Sequence, residues 1–511
     1  MGVGRVSRWR GNTLIYKILP PFQPPVDLEI YPTLRSLPDP FSLPGMLDVC
    51  EQLETAILDH TPILIHGDYD CDGVCASAIL MLALQHLGAD VLVHLPDREH
   101  DGYGLRADRC VDRLPPGGVV VTVDCGVAQP EQVRALLAAG HPVIVTDHHA
   151  YDAEPPCPWL HPARSVAHAG LCGAGVAWFL AWALLRRAGT GKDLLSDLLT
   201  HAAVATVADV VPLRGVNRLL VREGIRHKSS FPGLAYLMEG RTRASDVAFQ
   251  VAPRVNAAGR LRGPDMAFRC LTSRDRRVAV AAAEELDACN RERREVEKEI
   301  LEQIGANPAP VVSGDWHPGV VGIIAGKLCE RTGLPSVVVS TRSDPCAGSA
   351  RAPEGFDVRG ALAECSDVLE RSGGHARAAG CNVQYAKLGE FRKRFAEIVA
   401  RAEIPEAVTD VHEISLGEVD PALMSVLDAL EPTGEGNPAP LFCCAAEVAD
   451  RREVRGGHQR LTLRDGTGTR TAMWFYPGKG KGEGGERVVF QPQWNEWNGM
   501  KSIQLLVKGW V

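Results

Sequence analysis

The order of apolar and polar positions divides the chain into stretches of different texture. From about residue 46 to 215, short continuous apolar runs alternate with helical stretches. The runs lie at 62–65, 91–93, 119–123 and 143–145. The spacing predicts helices over 74–87 and over 130–139, the second stopped by Gly140. Strands without polar alternation are buried on both faces, so this pattern predicts a parallel sheet covered by helices. A mostly helical region follows over 171–300 and ends in a charged stretch, 277–304, rich in Ala, Glu and Arg. That composition predicts a solvated connecting helix. The α/β pattern returns over 307–400, with β-type runs at 309–312 and 336–339. After Pro405 the texture becomes all-β, with short alternating runs at 459–463, 488–490 and 503–507. Asn498-Gly499 is a good hairpin turn, and a small β-barrel is expected. Residues 1–45 are Pro-rich without sustained periodicity, and are expected to pack on the surface.

The expectation is therefore a multidomain α/β protein. A parallel-sheet domain (46–275) is joined by a long helix (276–306) to a smaller α/β domain (307–404). A C-terminal β-barrel (405–511) follows, and 1–45 form an N-terminal extension. A length of 511 residues is too great for one core.

Composition narrows the function only a little. Apolar content is 45%, as in a folded globular protein. No apolar run is long enough to span a membrane, and the first residues lack an apolar core of signal-peptide length. A cytoplasmic protein is expected. The fifteen cysteines are scattered and never spaced C-x-x-C, so neither a disulfide framework nor a structural zinc site is expected, and most should be small buried hydrophobes. The net charge of −8 argues mildly against a protein that coats nucleic acid, although a local basic groove could still bind phosphates.

The chemistry lies at the ends of three apolar runs. The first leads into His66-Gly67-Asp68-Tyr69-Asp70-Cys71-Asp72-Gly73, the second into Asp124-Cys125-Gly126, the third into Asp147-His148-His149. In an open parallel sheet the carboxyl ends of the strands share one edge, where ligands bind. Acidic clusters far apart in sequence should meet there. Several carboxylates cannot converge unpaired without repulsion, and cations are the simplest remedy. Carboxylates with imidazole and no thiolate cluster favour Mn²⁺ or Mg²⁺, and two such ions suit phosphoryl transfer. Asp-x-Asp-Gly alone would be an ordinary acidic turn. The coincidence of three acidic strand ends carries the reading.

These motifs resemble, in order, those of the DHH phosphoesterase superfamily, with Val207-Ala208-Asp209-Val210-Val211-Pro212-Leu213 similar to its fourth motif. Further runs resemble the RecJ branch: Ala252-Pro253-Arg254-Val255-Asn256-Ala257-Ala258-Gly259-Arg260-Leu261, Trp316-His317-Pro318-Gly319-Val320-Val321-Gly322, Gly348-Ser349-Ala350-Arg351, Gly373-Gly374-His375 and Thr433-Gly434-Glu435-Gly436-Asn437-Pro438. The resemblance covers roughly 46–511. It implies a DHH domain, a DHHA1 domain and an OB-fold, and 5′→3′ hydrolysis of single-stranded DNA to mononucleotides with two Mn²⁺ or Mg²⁺ ions, in recombination and repair.

By the same resemblance, Asp124 should bridge the two metals, Asp70 hold one, and Asp72, His148 and Asp209 the other. His66 occupies a position where superfamily relatives carry a ligand, and its role stays open. His149 is expected to orient a ligand or meet the scissile phosphate. Asp68 and Asp147 could ligate or cap backbone. Arg98, Arg260 and Ser349 with Arg351 are the expected readers of the 5′-terminal phosphate, since Arg grips phosphate oxygens bidentately, and His375 is the expected contact to the nucleic-acid backbone. The amides at Gly319 to Gly322 could accept a phosphate or simply permit tight packing. In the barrel, Arg451, Arg452, Arg455, His458, Arg460, Arg464 and Arg470 lie among Trp474, Phe475, Tyr476, Trp494 and Trp497, as a single-strand groove requires, though some of these aromatics should be core. Lys479-Gly480-Lys481-Gly482 reads as a basic loop. Expected partners are single-stranded DNA, a single-strand-binding protein and a recombination helicase, with the chain itself a monomer. The alternative is a phosphoesterase for short oligoribonucleotides or small phosphorylated nucleotides. A catalytically dead scaffold is disfavoured, because Asp70, Asp72, Asp124, His148 and Asp209 are all present.

Overall fold

The computed structural model describes residues 6–7, 14–20, 22, 33–98, 101–102, 104–405, 407–475, 487–497 and 499–510. Its contacts divide the chain into two units, one of residues 27–298 with 432–438, the other of 1–26, 299–431 and 439–511.

The first unit is built on five parallel strands, ordered Val91–His94, Ile63–His66, Val119–Val123, Val143–Thr146, Trp159–Leu160. Period-two alternation sends Leu64, Val120 and Val145 into one core, while Ile63, Ile65, Val121 and Ile144 enter the other. Both faces are thus buried, which is why the strands read as unbroken apolar runs. The larger core is completed by the helices Cys71–His86, Gly173–Arg187 and Lys192–Ala208.

The charged stretch forms one helix, Arg276–Ile304. It is not solvated all round. Ala279, Ala282, Ala283, Leu286, Cys289, Arg293, Glu297 and Ile300 are buried along one stripe, and Arg293 is paired with Glu297 and hydrogen-bonded to Asn290. The spacing of these residues is the helical signal for a covered face. Charges on the remaining faces masked it.

The second unit contains a five-stranded mixed sheet, ordered Arg371–Gly374, Ala378–Val383, Cys346–Arg351, Ser336–Ser340, Val311–Gly314; only the last pair is parallel. The helices Pro318–Thr332 and Leu388–Arg401 pack on it. A further sheet runs Phe442–Cys444, Val488–Trp497, Met500–Trp510, Thr469–Trp474, His458–Arg464, Glu447–Val454. The first and last of these are successive stretches of one segment, so the sheet returns on itself around Phe442, Leu461, Leu463, Ala472, Val488, Phe490 and Leu505. This is the barrel expected from the sequence.

Two features of this unit were not foreseen. The barrel region holds a helix, Pro421–Leu430, capped by Asp420, whose carboxylate accepts from Leu423 N. The N-terminal stretch is also more than a surface extension. Leu14–Leu19 pairs in parallel with Ala407–Glu413, which continues onto Phe442–Cys444, and Tyr16 is buried with Val411 and Val489. All fifteen cysteines are free thiols, fourteen of them buried. No described helix is long and apolar enough to cross a membrane.

Candidate metal centre

The acidic motifs converge at the carboxyl ends of the parallel strands. Asp70 caps the Cys71–His86 helix, its Oδ1 accepting from Asp72 N (2.9 Å) and Gly73 N (3.1 Å). The Asp68 backbone folds over this first turn so closely that a Cβ on Gly73 would lie 2.6 Å from it. Asp72 lies in that turn and accepts from the first amides of another helix, Gly173 N (2.7 Å) and Ala174 N (2.8 Å). A helix N-terminus favours a carboxylate there. Gly173 also lets that helix reach Asp124, since a Cβ would meet the Asp124 side chain at 2.6 Å.

Asp124 itself is turned into the left-handed region, φ +59°. Its Oδ1 lies 3.1 Å from His148 Nε2, which in turn lies 3.6 Å from both Asp72 Oδ2 and Asp209 Oδ2. Asp209 ends the Lys192–Ala208 helix, and the following Val210 has φ +58°. Three sets of ligand atoms lie within 4.8 Å of one another: Asp68, Asp70 and Asp124; Asp124, His148 and His149; Asp72, His148 and Asp209. Asp124 and His148 are each shared by two sets.

The electrostatics are those of a site short of positive charge. Burial first, and neighbouring carboxylates second, push Asp68 and Asp124 well above the usual carboxylate range and raise Asp70. Asp209 is pushed up to about 8 by the same causes. Asp68 Oδ1, Asp124 Oδ1 and His148 Nε2 are buried with no hydrogen-bond partner. Buried polar atoms are rarely left so; Asp124 Oδ1 faces His148 Nε2 on one side and shares a ligand set with Asp68 on the other, an arrangement that fits cations. The donor set of hard carboxylates and imidazole fits Mn²⁺ or Mg²⁺.

Asp147 plays another part. Its Oδ2 accepts from Val127 N (3.0 Å), and its Oδ1 from His148 N (2.7 Å), His149 N (3.1 Å) and His149 Nδ1 (2.8 Å). These bonds and the His149 charge outweigh burial and hold Asp147 below its ordinary value. Burial alone would lower His149, but the Asp147 bond and the surrounding carboxylates push it up to about 9. Burial lowers His148. His66 stands apart from the three sets. It is buried edge-on to His94, with Cys125 Sγ 3.8 Å from its Nδ1, and burial holds it down at about 3.

The expected phosphate-binding residues fall into two groups. In the first unit, the Arg98 guanidinium sits over the Tyr69 ring at 5.3 Å. Burial and the Arg98 charge lower Arg260 to about 10, so it stays cationic at neutral pH. Gly259 brings the Arg260 helix against Tyr69, where a Cβ would lie 2.3 Å from the Tyr69 carbonyl. Asn256 on this helix, whose role the sequence did not reveal, accepts from Cys71 N at 2.8 Å and so fixes the turn carrying Asp70 and Asp72. In the second unit, Arg351 Nη1 donates to Ser349 Oγ (2.8 Å), and Gly322 packs against both. Gly319 N donates to His317 Nδ1, which caps the Pro318–Thr332 helix. His375 is exposed beside Gly374, which has φ +134°.

In the barrel, Trp474 is core, and Arg470 donates to the Val419 carbonyl. Phe475, Arg451, Arg455 and Arg460 are exposed. Trp494 donates to Asp428 and carries Lys501 Nζ 4.2 Å over its ring. Tyr476, the 479–482 loop, the Trp497 side chain and Asn498 lie outside the described residues.

Residues 62–206 match the DHH family, N-terminal domain; 307–401 match the DHHA1 domain; 411–509 match the RecJ OB domain. The chain is 38% identical to the single-stranded-DNA-specific exonuclease RecJ of Thermus thermophilus, over 87% of this chain and 67% of that protein. It is 32% identical to the Escherichia coli protein of that name, over 91% and 90%. The Bacillus subtilis protein of that name is 33% identical over 92% of this chain, which spans 64% of that relative's length. The crystal structure of RecJ in complex with Mn²⁺ from T. thermophilus superposes with a TM-score of 0.81 at 33% identity, over 91% of this chain and 71% of that one.

Proposed function

The chain belongs to the RecJ family of DHH phosphoesterases, and from that premise we propose that it hydrolyses single-stranded DNA from the 5′ end, releasing mononucleotides in recombination and repair. The observation that carries this reading is the convergence of buried Asp68, Asp124 and His148 atoms, none of them hydrogen-bonded, where three parallel strands end. Two divalent ions, Mn²⁺ or Mg²⁺, would be held by Asp68, Asp70 and Asp124 on one side and by Asp72, His148 and Asp209 on the other. They would supply charge neutralisation and Lewis acidity at the scissile phosphate.

The remaining roles belong to the chain's own groups. Asp124 belongs to the set with Asp68 and Asp70 and lies 3.1 Å from His148 of the other set, so its carboxylate would be within reach of both ions. Asp147 fixes the His149 ring through Nδ1, and the resulting cation offers positive charge to a phosphate oxygen. Arg98 and Arg260 grip the terminal phosphate near Tyr69 and Asp70. Ser349, Arg351 and His375 contact the strand backbone, and the exposed aromatic and basic residues of the barrel bind the strand further along. The protein acts as a cytoplasmic monomer, with a single-strand-binding protein and a helicase as partners.

The test uses end-labelled single-stranded and duplex DNA and RNA, with Mn²⁺, Mg²⁺ or chelator, for wild type and Asp124→Ala. Single-stranded DNA should be shortened from its 5′ end only with metal and only by wild type. Activity in chelator or in Asp124→Ala would refute the mechanism. Cleavage of very short RNA alone would favour the phosphoesterase for short substrates.

A further inference from the structure

The Thr433-to-Pro438 motif does none of the chemistry above, yet it belongs by its contacts to the unit that holds the metal centre. We propose that the loop of residues 432–438 is a clasp that positions Asp209, so that the half of the centre made by Asp72, His148 and Asp209 depends on it. The proposal rests on the two-metal reading.

The loop is shaped before it docks. Gly434 and Asn437 exchange backbone hydrogen bonds of 2.9 and 3.1 Å, and buried Asn437 closes the turn by donating Nδ2 to the Pro432 carbonyl (2.8 Å). It then grips the segment just beyond Asp209. Leu213 N donates to the Glu435 carbonyl (2.8 Å), Arg214 Nε donates to the Gly436 carbonyl, and buried Arg218 donates to the Pro432 carbonyl (3.4 Å). Contact is too close for side chains on the loop. A Cβ on Gly434 would lie 2.8 Å from Leu213, and one on Gly436, itself at φ +67°, would lie 3.0 Å from Pro212.

The gripped segment needs outside support. Val210 is a β-branched residue in the left-handed region, which its own sequence does not favour. Bonds at Leu213 and Arg214 hold the chain on the far side of that turn, and so hold Asp209 on the near side. The grip also extends to the second carboxylate. Asn217 Nδ2 donates both to the Pro212 carbonyl (3.1 Å) and to the Gly170 carbonyl (2.6 Å). Gly170 leads into Gly173 and Ala174, whose amides hold Asp72. The loop is thus joined to Asp209 through the short chain 210–213, and to Asp72 through Asn217 and the segment 170–174.

The experiment uses the full chain and four variants. Gly436→Ala and Arg218→Met loosen the clasp, and Arg218→Lys keeps a donor. Gly457→Ala is the control, because Gly457 has φ +74° but no atom within 4 Å of its would-be Cβ. Two readouts are taken: Mn²⁺ affinity by calorimetry, and exchange of the Leu213 amide in metal-free protein. Gly436→Ala and Arg218→Met should speed Leu213 exchange and weaken one of two Mn²⁺ ions about 10–100-fold, the usual effect of disturbing a ligand's support. The other ion should stay within about twofold, Arg218→Lys should restore most of the loss, and Gly457→Ala should match wild type. Faster exchange with both affinities unchanged, or both ions weakened equally, overturns the clasp. If wild type binds no Mn²⁺, the metal reading itself fails; unchanged Leu213 exchange in Gly436→Ala would then overturn the clasp as well.

Discussion

Replacing Asp209 with Asn should stabilise the metal-free protein at neutral pH. Asp209 ordinarily titrates at 3.8, and burial with nearby Asp72 and Asp70 pushes it up to about 8. At pH 7 the folded protein therefore holds a proton on Asp209 that the unfolded chain has released. Each pH unit of that difference is worth about 1.4 kcal/mol, and about three units separate the ordinary value from pH 7. The gross cost is about 4 kcal/mol, and relaxation of the site leaves about 2–4 kcal/mol for Asp209→Asn to recover. Because the folded value is raised, the stability from this group is full below about pH 4 and is lost as pH rises through about 8. The advantage of Asn should accordingly vanish near pH 4 and grow steadily up to pH 8. Added Mn²⁺ should reverse the order, since a cation binding only the folded wild type stabilises it by mass action. The assay is thermal unfolding in chelator from pH 4 to 8.5, repeated with Mn²⁺, where about 1 kcal/mol moves the midpoint of a domain this size by about 2–4 °C. An Asn variant less stable than wild type at pH 7 in chelator, or an advantage independent of pH, would refute the reasoning.

Other groups make separate predictions. In metal-free protein the His149 ring should titrate near 9 by NMR, and Asp147→Asn should lower that midpoint; a midpoint below 7 in wild type would contradict the Asp147 contact. Asp72→Ala and Asp72→Asn remove the same charge, but only the amide keeps an acceptor for the Gly173 and Ala174 amides. Denaturant unfolding should place Asp72→Ala about 1–3 kcal/mol below Asp72→Asn, the cost of a buried donor left unpaired. Arg98→Ala and Arg260→Ala should each lower kcat/KM about 10–100-fold on 5′-phosphorylated strands, the worth of a charged hydrogen bond. On 5′-hydroxyl strands the loss should be within about threefold, and equal losses on both would remove these residues from the end-recognition site.

The parallel sheet was legible because burial on both faces leaves no polar alternation, and its acidic ends were legible because parallel strands share one edge. What failed to show had distant or backbone partners. Leu14–Leu19 is an apolar run of strand type, but its partner, Ala407–Glu413, lies some four hundred residues away. The Pro421–Leu430 helix announced itself only by Asp420-Pro421, a cap followed by a first-turn proline, within a region of strand texture. Asp68 and Asp147 both follow apolar strands, and no local pattern separates a ligand from a cap. What separates them is which amides lie in reach: Val127, His148 and His149 occupy the Asp147 oxygens, while Asp68 Oδ1 finds none.

The strained residues show where the fold overrides local preference. Among the described residues only His60, Asp124 and Val210 are non-glycine with positive φ. Two of these three are a candidate ligand and the neighbour of another. Each such residue costs about 1–2 kcal/mol that its own side chain does not return. The surroundings must therefore impose the turn. For Asp124 they are the strand Val119–Val123 behind it and Gly173 pressed against its side chain. For Val210 they are the Lys192–Ala208 helix before it and the loop of residues 432–438 gripping the chain after it. Both turns aim a carboxylate at His148, and both raise the energy of the metal-free fold by crowding like charges there. A sequence optimised for stability alone would relax either the backbone or the charge. A bound cation returns that energy, and the Asp209→Asn comparison with and without Mn²⁺ tests the electrostatic part of the balance.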